Sequence, residues 1–281
     1  MKKIYMAALA LALSLPTWAQ ELPAPSPKAK ITQRVGLTDI NLEYSRPGVN
    51  GRTIFGDLVP YGEIWRLGAN KNTLISFNHP VTWNGEMVPA GTYSLYAIPN
   101  ENTWTIILNS ATENWGTNGY SQDADIARTD VNVTEHAMTE RLSISIENMG
   151  MESGEVMIAW DKVKVLVPFT VDVHTYAEAN IKAAIESGED KHRVHRNAAQ
   201  YYLQSGRNEL ALKMIEQAVK DQNANWYTHF MKGQILHANG LNSEAIKSMN
   251  KAIEIGEREA KDEGKEFGYR VMIEQEMRKY Q

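Results

Sequence analysis

At Val173 the hydrophobic pattern changes period, and that switch divides the chain into two kinds of fold. Before it, apolar residues alternate. TDINLEYS sets Ile40, Leu42 and Tyr44 against Asp39, Asn41 and Glu43, and RLSISIEN alternates through Leu142, Ile144 and Ile146. One apolar residue in every two marks a half-buried β-strand. TLISFN, VTWNGEMV, TYSLYAIP, TWTIILN, GEVMIAWD and KVLVPFTVDV extend the series to about eight to ten short strands with turn signals between them. Asn84-Gly85 is a two-residue hairpin signal, because a type I′ turn needs positive φ at both centres. No helical pattern interleaves with the strands, which argues against a parallel α/β sheet. The expectation is a β-sandwich or jelly-roll-like antiparallel domain over residues 29–173, then an all-α domain over 174–281.

The helical part repeats itself. Gly206 and Gly240 are 34 residues apart, as are Ala211 and Ala245, and Ala218 and Ala252; the same step back reaches Ala177 and Ala184. Small residues let two helices of a hairpin approach closely, and glycine turns the chain between them. SGRNELALKMIEQAV and NGLNSEAIKSMNKAI are recognisable copies. From about Tyr176 this segment resembles the tetratricopeptide repeat family, with a terminal helix expected over Lys265 to Tyr280. It departs from the family in two places. Asn223 stands near the usual closing proline, and His195 and His229 stand where an early tryptophan is usual.

Composition sets the outer bounds. A net charge of −5 disfavours a nucleic-acid surface, which needs a concentrated basic face. Met1-Lys2-Lys3, the apolar run AALALALSLP and the small residues of Thr17-Trp18-Ala19 form a signal-peptide pattern over residues 1–19. The expectation is export to the periplasm or beyond, with no transmembrane segment in the mature chain. Residues 20–28 are a Pro-rich spacer. The sequence holds no cysteine, so disulfides, thiolate nucleophiles and a lipoprotein anchor are closed to it.

Within the β-rich part, Tyr44 to Asn70 (YSRPGVNGRTIFGDLVPYGEIWRLGAN) is too long for a hairpin loop and too patterned for a linker. Gly48, Gly51, Gly56, Gly62, Pro47 and Pro60 forbid a regular element, yet Ile54, Phe55, Leu58, Val59, Tyr61, Ile64 and Trp65 demand burial. An ordered irregular excursion of this kind is usually functional. Read with Pro89-Ala90-Gly91-Thr92-Tyr93, Trp104-Thr105-Ile106-Ile107-Leu108-Asn109 and Trp115-Gly116, its Ser-Arg-Pro, Gly-Arg-Thr-Ile-Phe-Gly and Trp-Arg-Leu-Gly-Ala-Asn runs resemble domain-of-unknown-function family 2911, over roughly Ser26 to Thr170. That resemblance implies a secreted β-rich domain, often followed by helical repeats, and carries no activity.

Two clusters are candidate sites. Arg46, Arg52, Trp65, Arg66 and Asn70 combine guanidinium, aromatic ring and amide, which suits a carboxylate, a sugar or a peptide terminus. The competing reading pairs Arg66 with Glu63 or Asp57, with Trp65 filling the core. Trp115, Tyr120, Asp123 and Arg128 fall in the polar stretch between strands, where aromatic faces suit carbohydrate. The competing reading there is an Arg128–Asp123 pair that closes a long loop. Asp123 and Asp125 lack the later glutamate of an EF-hand, and His192 and His195 lack a third ligand, so neither a metal nor a cofactor is expected. Asp57, Glu63, Glu86, Glu113 and Asp123 leave a carbohydrate hydrolase open as an alternative. A third possibility is a structural assembly module. The preferred expectation is a cell-envelope binding module. It takes a small polar or glycan ligand on the β-part and a protein or peptide partner on the repeats, where Tyr201, Tyr202, Trp226, Tyr227, His229 and Phe230 are candidates to line a groove; the competing and favoured reading makes them core contacts between helices.

Overall fold

The computed structural model describes residues 22–280, so the expected signal peptide lies outside the described residues. Two compact units meet between Asp172 and Val173.

The first unit is β1 (Lys28–Val35), β2 (Thr38–Ser45), β3 (Thr73–Phe77), β4 (Val81–Trp83), β5 (Glu86–Val88), β6 (Gly91–Pro99), β7 (Thr103–Asn109), β8 (Asp125–Asn132), β9 (Thr134–Glu147) and β10 (Ser153–Val171). They form two antiparallel sheets, ordered β1-β2-β3-β6-β7-β8 and β5-β4-β10-β9. The alternation in the sequence becomes two inner faces. Ile40, Leu42 and Tyr44 are buried on one sheet, and Leu142, Ile144 and Ile146 on the other. Tyr44 ties the sheets together: its hydroxyl donates to Ile144 O at 3.1 Å and accepts from Ile144 N–H at 2.9 Å. Asn84 and Gly85 have φ of 44° and 93°, as the hairpin requires. GEVMIAWD and KVLVPFTVDV, which read as two strands, are one 19-residue strand. Asp161, at φ 56°, marks a bulge where the pairing with β9 shifts register, so the strand bends without breaking.

The second unit is α1 (Val173–Ser187), α2 (Lys191–Gln204), α3 (Asn208–Ala218), α4 (Trp226–Ala238), α5 (Asn242–Asp262) and α6 (Arg270–Met277), ending in a 3₁₀ turn, Arg278–Tyr280. The α2–α3 and α4–α5 hairpins turn on Gly206 and Gly240, at φ 72° and 77°. Ala211, Ala218, Ala245 and Ala252 are all fully buried where the helices meet. The expected terminal helix starts later than Lys265. Gly264, at φ 71°, ends α5, and the intervening chain folds Phe267 back against Gly256 and Trp226 before α6 begins. Tyr202 and Phe230 are buried, and Tyr201, Trp226 and Tyr227 pack partly buried against the same clusters, so these aromatics hold the hairpins together.

Candidate functional site

The excursion after β2 folds as a pinned rim. Backbone hydrogen bonds tie it to both sheets at several points, although Leu58 and Tyr61, expected to be buried, stand 44% and 41% exposed. Val49 N–H donates to Glu140 O at 2.7 Å and Pro47 O accepts from Leu142 N–H at 3.0 Å, so this segment pairs with β9. Val59 N–H donates to Ile54 O at 2.8 Å, closing a tight loop, and Gly62 N–H donates to Pro99 O at 2.8 Å. Trp65 and Ala97 then exchange both backbone hydrogen bonds, at 2.7 and 2.9 Å. On β6 that position lies beyond Leu95, where β3 has ended at Thr73, so Trp65 takes over the lane that β3 vacates.

This lane decides where Trp65 goes. Trp65 faces inward, 9% exposed, stacked on Trp160 with centroids 5.8 Å apart and packed edge-on to Trp104 and Phe55. Arg66, one residue on, lines the same recess as Trp65 and Trp160. Its Nη1 lies against Gly116, 3.3 Å from where a Cβ there would stand. The next turn is strained. Leu67 is fully buried at φ 53°, Gly68 has φ 152° and Asn70 has φ 62°. Such backbone persists only where its surroundings over-determine it, and it clusters at functional sites. Here Thr73 Oγ1 donates to Leu67 O at 2.6 Å.

Four arginines gather around this rim, and none forms a salt bridge among the described residues; the one carboxylate bonded to the rim, Glu140, accepts from Asn50 N–H at 2.9 Å. Arg46 Nε donates to Leu142 O at 2.9 Å. Arg52 donates to Gly48 O at 2.6 Å and Val49 O at 3.1 Å. Arg141 donates to Pro25 O and Arg46 O, at 3.2 and 3.3 Å. Arg66 Nε is buried without a hydrogen-bond partner. Glu63 and Asp57 are solvent-exposed and pair with none of these arginines, so the expected internal pair for Arg66 does not form. Carbonyls fix Arg46, Arg52 and Arg141 without compensating their charge, and Arg66 has no such acceptor at Nε. Arg52, Arg66, Leu58, Trp65 and Trp160, with Ser26 and Gly68, line a recess of about 260 Å³. Trp160 Nε1, a second buried donor without a partner, belongs to the same lining.

The second cluster divides. Tyr120 and Arg128 form a closed network: Arg128 Nη1 donates to Asp125 Oδ2 at 2.7 Å and to Tyr120 at 2.9 Å, and Tyr120 donates to Asp125 at 2.9 Å. Asp125 is thus the loop-closing carboxylate in place of Asp123, which is exposed on the 3₁₀ turn Gln122–Ala124. Burial, reinforced by Asp125, pushes the Tyr120 hydroxyl up from its ordinary value, and the hydrogen bond that Arg128 donates to Asp125 raises Arg128. Trp115 lies elsewhere, 61% exposed, its backbone bridged to Lys71. It shares a second recess with Asn70, whose Nδ2 donates to Ser45 at 3.2 Å.

Asp57, Glu63, Glu86, Glu113 and Asp123 are all exposed, and none lines the arginine recess. Among the described residues no group of three His, Asp or Glu could hold a metal ion, and no helix is long and apolar enough to cross a membrane. Sequence reasoning missed Arg141, Ser26 and Lys71. Arg141 arrives from a distant strand and Ser26 from the spacer, so nothing local linked them to Arg66.

The family model described as a protein of unknown function (DUF2911) matches residues 26–169, and a tetratricopeptide repeat model matches residues 227–256, the α4–α5 hairpin. No curated protein and no solved structure matches the chain.

Proposed function

The chain belongs to the DUF2911 family over just over half its length, and from that premise we propose that it is a two-part binding protein whose β-domain captures an anionic ligand. One observation carries the reading: Arg66 lines an open recess with a buried, unpartnered Nε and no carboxylate to neutralise it. A buried guanidinium donor without an acceptor costs about 1–3 kcal/mol, more for a charged group, so an incoming carboxylate is strongly favoured there. Trp65 and Leu58 give the recess an apolar wall for the rest of a small ligand. The repeats supply the second part. Stacked helical hairpins present continuous surfaces suited to peptides, and the α3–α5 face holds a hollow of about 460 Å³ between Leu212, His229, Lys232 and Glu244. The proposal includes export through the Met1–Ala19 leader and work at the cell envelope.

Titration calorimetry with a panel of small mono- and dicarboxylates tests the β-domain reading. Binding is expected, weakened tenfold or more by Arg66→Met, in line with the roughly 1.5–3 kcal/mol of a charge-assisted hydrogen bond. Arg128→Met, which breaks a closed network outside the recess, is expected to leave affinity unchanged. Equal affinity in wild type and Arg66→Met overturns the reading.

A further inference from the structure

The recess beside Arg66 has a neighbour. Ser26 lines both it and the second recess, also about 260 Å³, whose walls include Tyr44, Ser45, Asn70, Lys71 and Trp115. Arg66 Nη1, against Gly116, links the two through the residue next to Trp115. We infer that the joined groove takes an acidic oligosaccharide, a hexuronic-acid chain, with one pyranose ring stacked on Trp115 and a carboxylate at Arg66. This inference rests on the anion-binding reading above and adds the ligand class.

Three observations carry it. The first is how Trp115 is held. Its ring is 61% exposed, yet its backbone is fixed on both sides. With its amide turned to satisfy both ends, Asn72 donates to Asn114 O at 3.1 Å and Gly116 O at 3.0 Å while accepting from Ser94 at 2.9 Å and Tyr96 at 2.7 Å. Asn72, Ser94 and Tyr96 are themselves buried. A rigid backbone presenting a flat ring to solvent loses little conformational entropy when a ligand stacks on it. The second is charge. Arg52, Arg66 and Lys71 line the two recesses without a salt bridge among the described residues, and Lys28 offsets the single carboxylate there, Glu43, on a chain of net charge −5. Glu43 is occupied by Lys28 and Lys30, whose hydrogen bonds hold its carboxyl below the usual range. The third is the polar lining between ring and guanidinium. Asn70, Ser45 and Ser26 offer both donors and acceptors, matching sugar hydroxyls, which are both at once. An acidic peptide would match the charge, and its backbone the polar lining, but its carboxylate side chains offer no ring face to stack on the exposed Trp115.

The test is calorimetric titration of the wild-type chain, Trp115→Ala and Arg66→Met with hexuronic-acid oligomers of two to four residues. Neutral hexose oligomers of the same length and an oligoglutamate peptide serve as competitors. The uronic oligomers are expected to bind at least tenfold more tightly than either competitor, and each variant is expected to lose tenfold or more. Trp115→Ala should melt at the wild-type temperature, since the ring is exposed. Unchanged uronic-oligomer affinity in Trp115→Ala, oligoglutamate binding as tightly, or no uronic-oligomer binding at millimolar concentration overturns the inference. If small carboxylates still bind through Arg66 in those cases, the anion-binding reading survives; if Arg66→Met affects no anion, both fail.

Discussion

Gly68→Ala tests whether the rim is as rigid as its hydrogen bonds imply. Gly68 has φ 152°, where side chains are rarely tolerated, and a Cβ built on it would lie 2.9 Å from the backbone oxygen of Ser45 and 3.2 Å from Thr73 Oγ1. Backbone cannot swing aside as a flexible side chain does. The substitution therefore adds about 1–3 kcal/mol of backbone strain to roughly 1–3 kcal/mol of overpacking. Gly51→Ala is the matched control. Its φ of 72° is also left-handed, but nothing stands within 4 Å of its Cβ, so only about 1–2 kcal/mol of backbone strain applies. Urea unfolding followed by tryptophan fluorescence measures both, because Trp65, Trp104 and Trp160 report the core beneath the rim. The account predicts that Gly68→Ala loses clearly more stability than Gly51→Ala and weakens anion binding. Equal losses would mean that the rim yields easily, and the reasoning would fail.

Two other outcomes follow from single contacts. Tyr44→Phe removes the hydroxyl that satisfies both backbone groups of Ile144, and should cost about 1–3 kcal/mol in urea unfolding; a loss below about 0.5 kcal/mol contradicts that role. His229 is held below its ordinary value of 6.5, chiefly by burial and then by Lys232 and Lys251, with Glu254 opposing. Between its depressed folded value and about 6.5 the unfolded chain binds more protons, so stability falls as pH drops through that window and levels off below it. Helix unfolding followed by circular dichroism from pH 7.5 downward should show this decline, and His229→Gln should reduce it; an identical decline in the variant refutes the assignment.

How much of this was legible depended on the range of the interaction. Alternation and helical period are local, so the two kinds of fold, the strand faces and the buried alanines at 34-residue spacing could be read directly. Pairing order is not local. Nothing near Trp65 says that it pairs with Ala97, and that pairing sets Trp65 against Trp160. Proximity in sequence suggested Glu63 and Asp57 as partners for Arg66, whereas both stand exposed and Arg66 Nε is left without a partner. The Trp160-Asp161-Lys162 bulge was hidden for a related reason. Aspartate tolerates left-handed backbone without the glycine that usually announces it. Nine candidate ligand residues were legible by type, but their grouping was not. Arg52, Trp65 and Arg66 line one recess, Asn70 and Trp115 the next, and Arg46 is fixed to Leu142 O behind the rim. Tyr120 and Arg128 close on Asp125, and Asp123 stands exposed beside them.

The most direct measurement is anomalous diffraction from crystals soaked in bromide, a monovalent anion with its own scattering signature. Bromide within hydrogen-bond reach of Arg66 Nε, and none at Arg128, is the predicted result. Empty density at Arg66, or a carboxylate of the chain already bound to that guanidinium, would contradict the account.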